Sequence, residues 1–118
     1  MRIFIGTDIE AIERFRSLVN DKKKLKSIFS TNEYQYAINK LNPEQSFAGI
    51  WCAKEAVVKS CGEIKLLNVR DVEIICSKNC PPRAIIKNEF LKNKQVNITV
   101  SISHTKDYAN ATSIVYLE

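Results

Sequence analysis

Apolar and polar residues alternate most strictly from Val96 to Ser103, where Val96, Ile98, Val100 and Ile102 interleave with Asn97, Thr99, Ser101 and Ser103. That period of two predicts a half-buried strand. At the other end, Ile3 and Ile5 share one face and Phe4 the other, predicting a strand over Arg2 to Asp8. From Ile9 the period lengthens, and Ile12, Phe15, Leu18 and Val19 fall on one helical stripe. Ser30 and Glu33 form a capping-box pattern that opens a short helix ending near Leu41. Asn42-Pro43 is a second start signal, for a helix running to Cys61 with Gly62 as its stop. Val69 to Cys76 and Ala84 to Lys87 read as strands around a Pro81-Pro82 turn, and Ala109 to Leu117 as a last strand after a turn at Thr105 to Tyr108. The expectation is an α+β fold: an N-terminal strand, two or three helices, then antiparallel strands, in one domain over residues 1–118.

Composition narrows the class. Hydrophobic residues at 45% and charged residues at 26% exclude overall disorder. No apolar run approaches the ~20 residues of a membrane span, and the N-terminus is no signal peptide, so a cytoplasmic domain is expected. Cys52, Cys61, Cys76 and Cys80 contain no Cys-x-x-Cys pair, and His104 is the single histidine. Four reduced thiols, and no zinc site, are the expectation. The net charge is +5, and one segment accounts for it: Arg14, Arg16, Lys22, Lys23, Lys24 and Lys26 against Asp21. Such a segment is either a solvated helix face or a docking surface for something acidic.

The pattern breaks at three places. Lys54 falls in the middle of the apolar stripe formed by Phe47, Ile50, Trp51, Val57, Val58 and Cys61. It must snorkel out or meet an anion, since an unpaired buried ammonium is too costly. Glu55 and Lys59, four apart at the stripe's edge, make either a surface ion pair or one wall of a cleft for phosphate or metal. Asp8, where strand yields to helix, suits an N-cap, and equally a hard-metal ligand. With Glu55 it supplies two carboxylates, enough for magnesium that also takes phosphate and water, and too few for a closed structural site. His104 follows the strongest strand, between the hydroxyls of Ser103 and Thr105, and is either structural or functional.

Together these places resemble a family. Gly6-Thr7-Asp8 with Arg14, then Trp51-Cys52-Ala53-Lys54-Glu55-Ala56-Val57-Val58-Lys59, then Ser101-Ile102-Ser103-His104-Thr105 with Ala109, resemble in order and spacing the three motifs of short bacterial holo-acyl-carrier-protein synthases, a branch of the 4'-phosphopantetheinyl transferases. The resemblance implies transfer of 4'-phosphopantetheine from coenzyme A to a carrier-protein serine, leaving adenosine 3',5'-bisphosphate. It implies a homotrimer with active sites between subunits, and magnesium held by Asp8 and Glu55. It implies that Asp8, Glu55, Lys59 and His104 serve catalysis, and that Lys54, Lys59, Gly62, Ser103, His104 and Thr105 line the coenzyme A site. Arg14, with Lys22, Lys23 and Lys24 on the following basic stretch, would meet the acidic acyl carrier protein. The serine proton has three candidate acceptors: a carboxylate, a metal-bound water or His104. Two positions depart from the family pattern: Ile50 stands where an arginine is usual, and Cys61-Gly62-Glu63 shortens a glycine-rich turn. The alternative, a basic α+β module binding RNA, is weakened by strands poor in stacking aromatics, and it leaves Asp8, Glu55 and His104 without a task. No nucleic-acid or membrane partner is expected.

Overall fold

The three strands with the clearest apolar patterning form one antiparallel sheet, in the order β1 (Arg2–Ala11), β5 (Tyr108–Leu117), β4 (Asn97–His104). The computed structural model describes residues 1–118. A second, two-stranded sheet is the hairpin of β2 (Val72–Ser77) and β3 (Cys80–Ile86). Between β1 and the hairpin lie α1 (Glu13–Arg16), α2 (Lys22–Ile28), α3 (Thr31–Ile38), the long α4 (Pro43–Cys61) and a single 3-10 turn at Val69–Asp71. A short α5 (Glu89–Asn93) joins β3 to β4. The α+β class holds, with five helices rather than two or three.

Helix α4 lies across one face of the three-stranded sheet, and small residues set how closely it approaches. At Gly6 a Cβ would fall on the carbonyl of Ala56 and within 2.6 Å of Ser60 N. At Gly49 it would come within 3.0 Å of Ile102 Cγ2. The C-terminal half of α4 therefore presses on β1 and its N-terminal half on β4. Between them, Ser60 and Ser113 on β5 share a buried hydroxyl–hydroxyl hydrogen bond of 2.9 Å. Phe15, Phe29, Phe47 and Tyr34 stack along the other side of α4, each ring centroid 5.0 to 6.2 Å from the next. Such tilted pairs contribute beyond the area they bury.

Several expectations change. The first strand does not yield at Ile9. Its ladder with β5 runs on through Glu10↔Ala109 and Ala11↔Tyr108, because a continuous partner rewards every added residue. The helical stripe is real only over Ile12 and Phe15, both buried. Leu18 and Val19 fall in a turn, so the basic segment is two short helices rather than one. The hairpin turns at Lys78-Asn79, where Asn79 takes φ 63°. Pro81 and Pro82 lie inside β3, which pairs only with β2 and so tolerates residues that cannot donate. Gly62 keeps a right-handed φ of −57°, so α4 ends without a left-handed glycine cap.

The capping box at Ser30 is present and does more than cap. Glu33 Oε1 accepts from Ser30 N at 2.8 Å and from Lys54 Nζ at 2.7 Å, and its Oε2 accepts from Ile74 N at 2.7 Å. Lys54 Nζ also donates to the Val72 carbonyl at 2.8 Å. Both side chains are almost fully buried. Lys54 thus meets an anion instead of snorkelling, and ties α3, α4 and β2 together.

Candidate active site

Register carries Asp8 to α4. On β1, Phe4, Gly6, Asp8 and Glu10 point to the helix-covered face, because their β5 partners Val115, Ser113, Ala111 and Ala109 are all buried there. Close packing at Gly6 then sets Asp8 beside Glu55 and Lys59, about one turn apart on α4. Lys59 Nζ donates to Asp8 Oδ1 at 3.2 Å and to the Thr7 carbonyl at 2.9 Å. Asn110 Nδ2 donates to the Asp8 carbonyl at 3.0 Å and fixes the strand at that point.

The other carboxylate oxygen, Asp8 Oδ2, is buried and accepts no hydrogen bond. A buried acceptor without a donor is uncommon and costs free energy. Beside it, burial first and the Asp8 charge second push the Glu55 carboxyl above its usual range, with Lys59 opposing. A carboxyl raised by burial and a neighbouring charge, set beside an orphan carboxylate oxygen, makes a place where a hard cation is favoured. No group of three or more His, Cys, Asp or Glu side chains is arranged to hold a metal. A cation between Asp8 and Glu55 would thus keep positions open for phosphate oxygens and water, which fits magnesium. Cys52, packed beside Asp8, stays a thiol: burial, reinforced by the charges of Asp8 and Glu10, raises it to about 12.

The remaining expected residues do not gather at this pocket. Asp8 pairs through Ala111 with Ile102, and the next row is Glu10, Ala109 and His104. His104 is therefore on the same face but at the opposite edge of the sheet, two strand spacings or about 10 Å across. It lines a different cleft of about 210 Å³, walled by Tyr36, Gln45, Gly49, Ile50 and Cys76. Ile50, where an arginine was expected, contributes an apolar wall there. Ser103 is in the row of Asn110 and Ile9, on the face away from α4. Thr105 Oγ1 accepts from the backbone N–H of Asp107 and Tyr108, a turn-stabilising role. Lys54 is withdrawn from the expected coenzyme A lining, since Glu33 and the Val72 carbonyl occupy it below the surface. Gly62, the cap of α4, follows Lys59 by three residues at the β1 end.

Lys22, Lys23, Lys24 and Lys26 are exposed on α2, with Lys22 and Lys26 over the ring of Tyr34 on α3. Arg14 is near the pocket: it pairs with Glu10 at 3.1 Å and its charge reaches Glu55. The spacing of Glu10 and Arg14, four apart, suggests an ion pair as the alternative to carrier docking by Arg14, and that pair is present, although Glu10 lies on β1 and not on a shared helix. The capping box signalled Glu33 but not its bond to Lys54, and Asn110, whose role comes from strand register, carried no signal.

Comparison with known proteins identifies the family and the fold. Residues 4–113 match the model of the 4'-phosphopantetheinyl transferase superfamily. The holo-[acyl-carrier-protein] synthase of Caldanaerobacter subterraneus subsp. tengcongensis is 35% identical over 120 residues, covering 97% of this chain and 94% of that protein. An ACPS–CoA complex from Chronobacterium ammoniagenes superposes with a TM-score of 0.83 at 25% identity, over 100% of this chain and 99% of that one. The Helicobacter pylori holo-[acyl-carrier-protein] synthase in complex with coenzyme A gives 0.77 at 26% identity, over 95% and 99% of the two chains. The chain belongs to the 4'-phosphopantetheinyl transferase superfamily. Within that superfamily, the relatives it matches along nearly their whole length are holo-[acyl-carrier-protein] synthases.

Proposed function

We propose that Asp8, Glu55 and Lys59 form the phosphate-transfer half of the active site, completed by His104 of a neighbouring subunit in a homotrimer. The reaction is transfer of 4'-phosphopantetheine from coenzyme A to a serine of an apo acyl carrier protein, giving holo carrier protein and adenosine 3',5'-bisphosphate. The observation that carries this reading is the orphan Oδ2 of Asp8 beside the raised Glu55. Magnesium bound by those two carboxylates would neutralise charge on the pyrophosphate oxygens. Lys59 Nζ, already at the pocket's mouth and half exposed, adds a second positive charge for the phosphate that departs or is transferred. The Thr7 carbonyl and Asp8 hold that ammonium in place, so little reorganisation is needed when the ester arrives.

The shared site rests on two features. His104 and the carboxylates stand at opposite edges of one sheet, so a single subunit presents each half separately. The outer face of that sheet carries exposed Ile3, Ile5 and Ile114 and, beyond the Thr7–Thr112 pair, Ile9 and Tyr108, apolar side chains that one chain leaves uncovered. Three copies packed through this face would bury it and bring one subunit's β4 edge toward another's β1 edge. No helix is long and apolar enough to cross a membrane.

The test is mass spectrometry of an apo carrier incubated with the protein, coenzyme A and magnesium, repeated with mixed variants. Asp8→Ala and His104→Ala chains should each transfer poorly alone and regain part of the activity when refolded together, since some mixed trimers contain one intact site. Absence of carrier modification by the wild type would overturn the activity. Mixing without recovery would overturn the shared site.

A further inference from the structure

Arg14 is held by three groups. Glu10 Oε1 lies 3.1 Å from Arg14 Nη1, and the same oxygen accepts from the indole N–H of Trp51 at 3.1 Å. The guanidinium carbon stands 5.2 Å from the Trp51 ring centroid and 5.5 Å from that of Phe15. Phe15 is fully buried and Trp51 half-buried, so both rings are fixed by the core. A guanidinium laid on fixed aromatic faces is attracted by their ring quadrupoles. Arg14 nonetheless keeps about half of its side chain, 48%, in solvent.

Glu10 also lies close to the carboxylate pocket. It is one row from Asp8 on the helix-covered face of β1, and its charge reaches both Glu55 and Cys52. Trp51 and Arg14 engage it on α4's flank, which leaves the cation pocket with two carboxylates rather than three. The indole N–H matters here: phenylalanine at position 51 would stack on Arg14 but leave Glu10 one donor short.

We propose that Glu10 is a positioning residue for the carrier protein. It holds Arg14 flat against Trp51, so that the guanidinium waits beside the Asp8–Glu55 pocket for a carboxylate of the incoming acidic carrier. This rests on the transferase reading above. An arginine ordered before binding loses less conformational freedom when it meets its partner, and its planar fork matches a carboxylate. Glu10 itself touches neither the phosphates nor the serine.

The test compares wild type, Glu10→Ala, Glu10→Gln, Arg14→Ala and the double alanine variant. Steady-state constants are taken for carrier and for coenzyme A, with calorimetric titration of apo carrier alongside. Glu10→Ala should raise the KM and Kd for carrier roughly three- to tenfold, the effect of releasing one ordered side chain. The KM for coenzyme A should move far less than that for carrier. Glu10→Gln, which still accepts from the indole, should recover part of the loss. The double variant should be no worse than Arg14→Ala, since Glu10 acts through Arg14. Losses that multiply in the double variant, or equal damage to both substrates' constants, would overturn the proposal. A wild type that neither binds nor modifies carrier would instead overturn the transferase reading itself, which the calorimetry detects without any variant.

Discussion

Helix α4 presents two lysines five residues apart, and each meets a carboxylate from another element, with opposite outcomes. Lys54 and Glu33 sit 2.7 Å apart with side chains 2% and 0% exposed, and every carboxylate oxygen has a donor. Lys59 and Asp8 sit 3.2 Å apart with the lysine 52% exposed and Asp8 Oδ2 left with no donor. The first pair is closed, and its bonds are spent on joining α3, α4 and β2. The second is open, holding an unfilled acceptor beside a second carboxylate and a solvent-facing ammonium. A lysine and a carboxylate serve as frame in one place and are proposed as reagents in the other. What separates them is whether the surrounding backbone supplies the missing donors.

The sharpest way to break the comparison is to remove the open pair. Asp8→Ala and Glu55→Ala should each lower carrier modification on the order of 10²–10³-fold, the scale seen when one charge-stabilising group is removed from an active site. Melting temperatures should change little: Asp8→Ala removes the cost of the orphan Oδ2 together with a half-exposed pair to Lys59, and Glu55→Ala relieves its repulsion with Asp8. Chelation of magnesium should silence the wild type in the same assay. Either variant keeping near-normal turnover in magnesium would mean that the cation is held elsewhere.

The closed pair should respond the other way. Glu33→Ala strands the Lys54 ammonium and frees the N–H groups of Ser30 and Ile74, so about 3–5 kcal/mol of stability should go, measured by urea unfolding. Replacing both partners, as Glu33→Leu with Lys54→Met, should recover much of that loss, since desolvation of both charges disappears together. Transfer per folded molecule should change far less than with Asp8→Ala. If Glu33→Ala instead left stability intact and abolished transfer, Lys54 would have to be returned to the coenzyme A site.

How legible this was follows from where the signals come from. The pattern from Val96 to Ile102, the Ser30–Glu33 box and the Asn42-Pro43 start are local, and each formed the element expected of it. The extent of β1 was not local: Glu10 and Ala11 stay in the strand because β5 offers them partners ninety-odd residues along the chain. The Pro81-Pro82 pair suggested a turn, but an unpaired edge accommodates proline and the turn moved to the residue that accepts positive φ, Asn79. Helix α5 escaped notice because five residues give too short a period to read, although Asn88 caps it through Leu91 N. In the site, Asp8, Glu55 and Lys59 stood where the pattern breaks, but locally each read equally as a cap or a surface ion pair; only the resemblance grouped them, and their contact depends on β1 packing against α4. Lys54 was legible as an anomaly but not its resolution, since Glu33 lies on another helix. The distance of His104 from Asp8 was not legible at all, because it depends on β5 being interposed between β1 and β4.

The smallest expected effect concerns the two thiols on α4. Burial pushes Cys61 from its ordinary 9.0 up to about 11, and raises Cys52 to about 12 with help from Asp8 and Glu10. The folded chain keeps these protons where the unfolded chain releases them. Their contribution to stability is therefore complete below pH 9 and is lost progressively as the pH rises from there through about 11. The wild-type curve alone does not isolate the thiols from the rest of the chain. The difference between wild type and Cys61→Ala does, because the other titrations are common to both. Cys61→Ala should be less stable at pH 7, having lost a buried sulfur, and the gap between the two proteins should narrow between pH 9 and 10.5. Urea unfolding in reducing buffer at four or five pH values measures it. Curves that stay parallel across that range would mean the Cys61 thiol is not held protonated by the fold. Native-state alkylation offers a second reading from the same pair of regions: exposed Cys80 should react first, and buried Cys52 and Cys61 only as the chain unfolds.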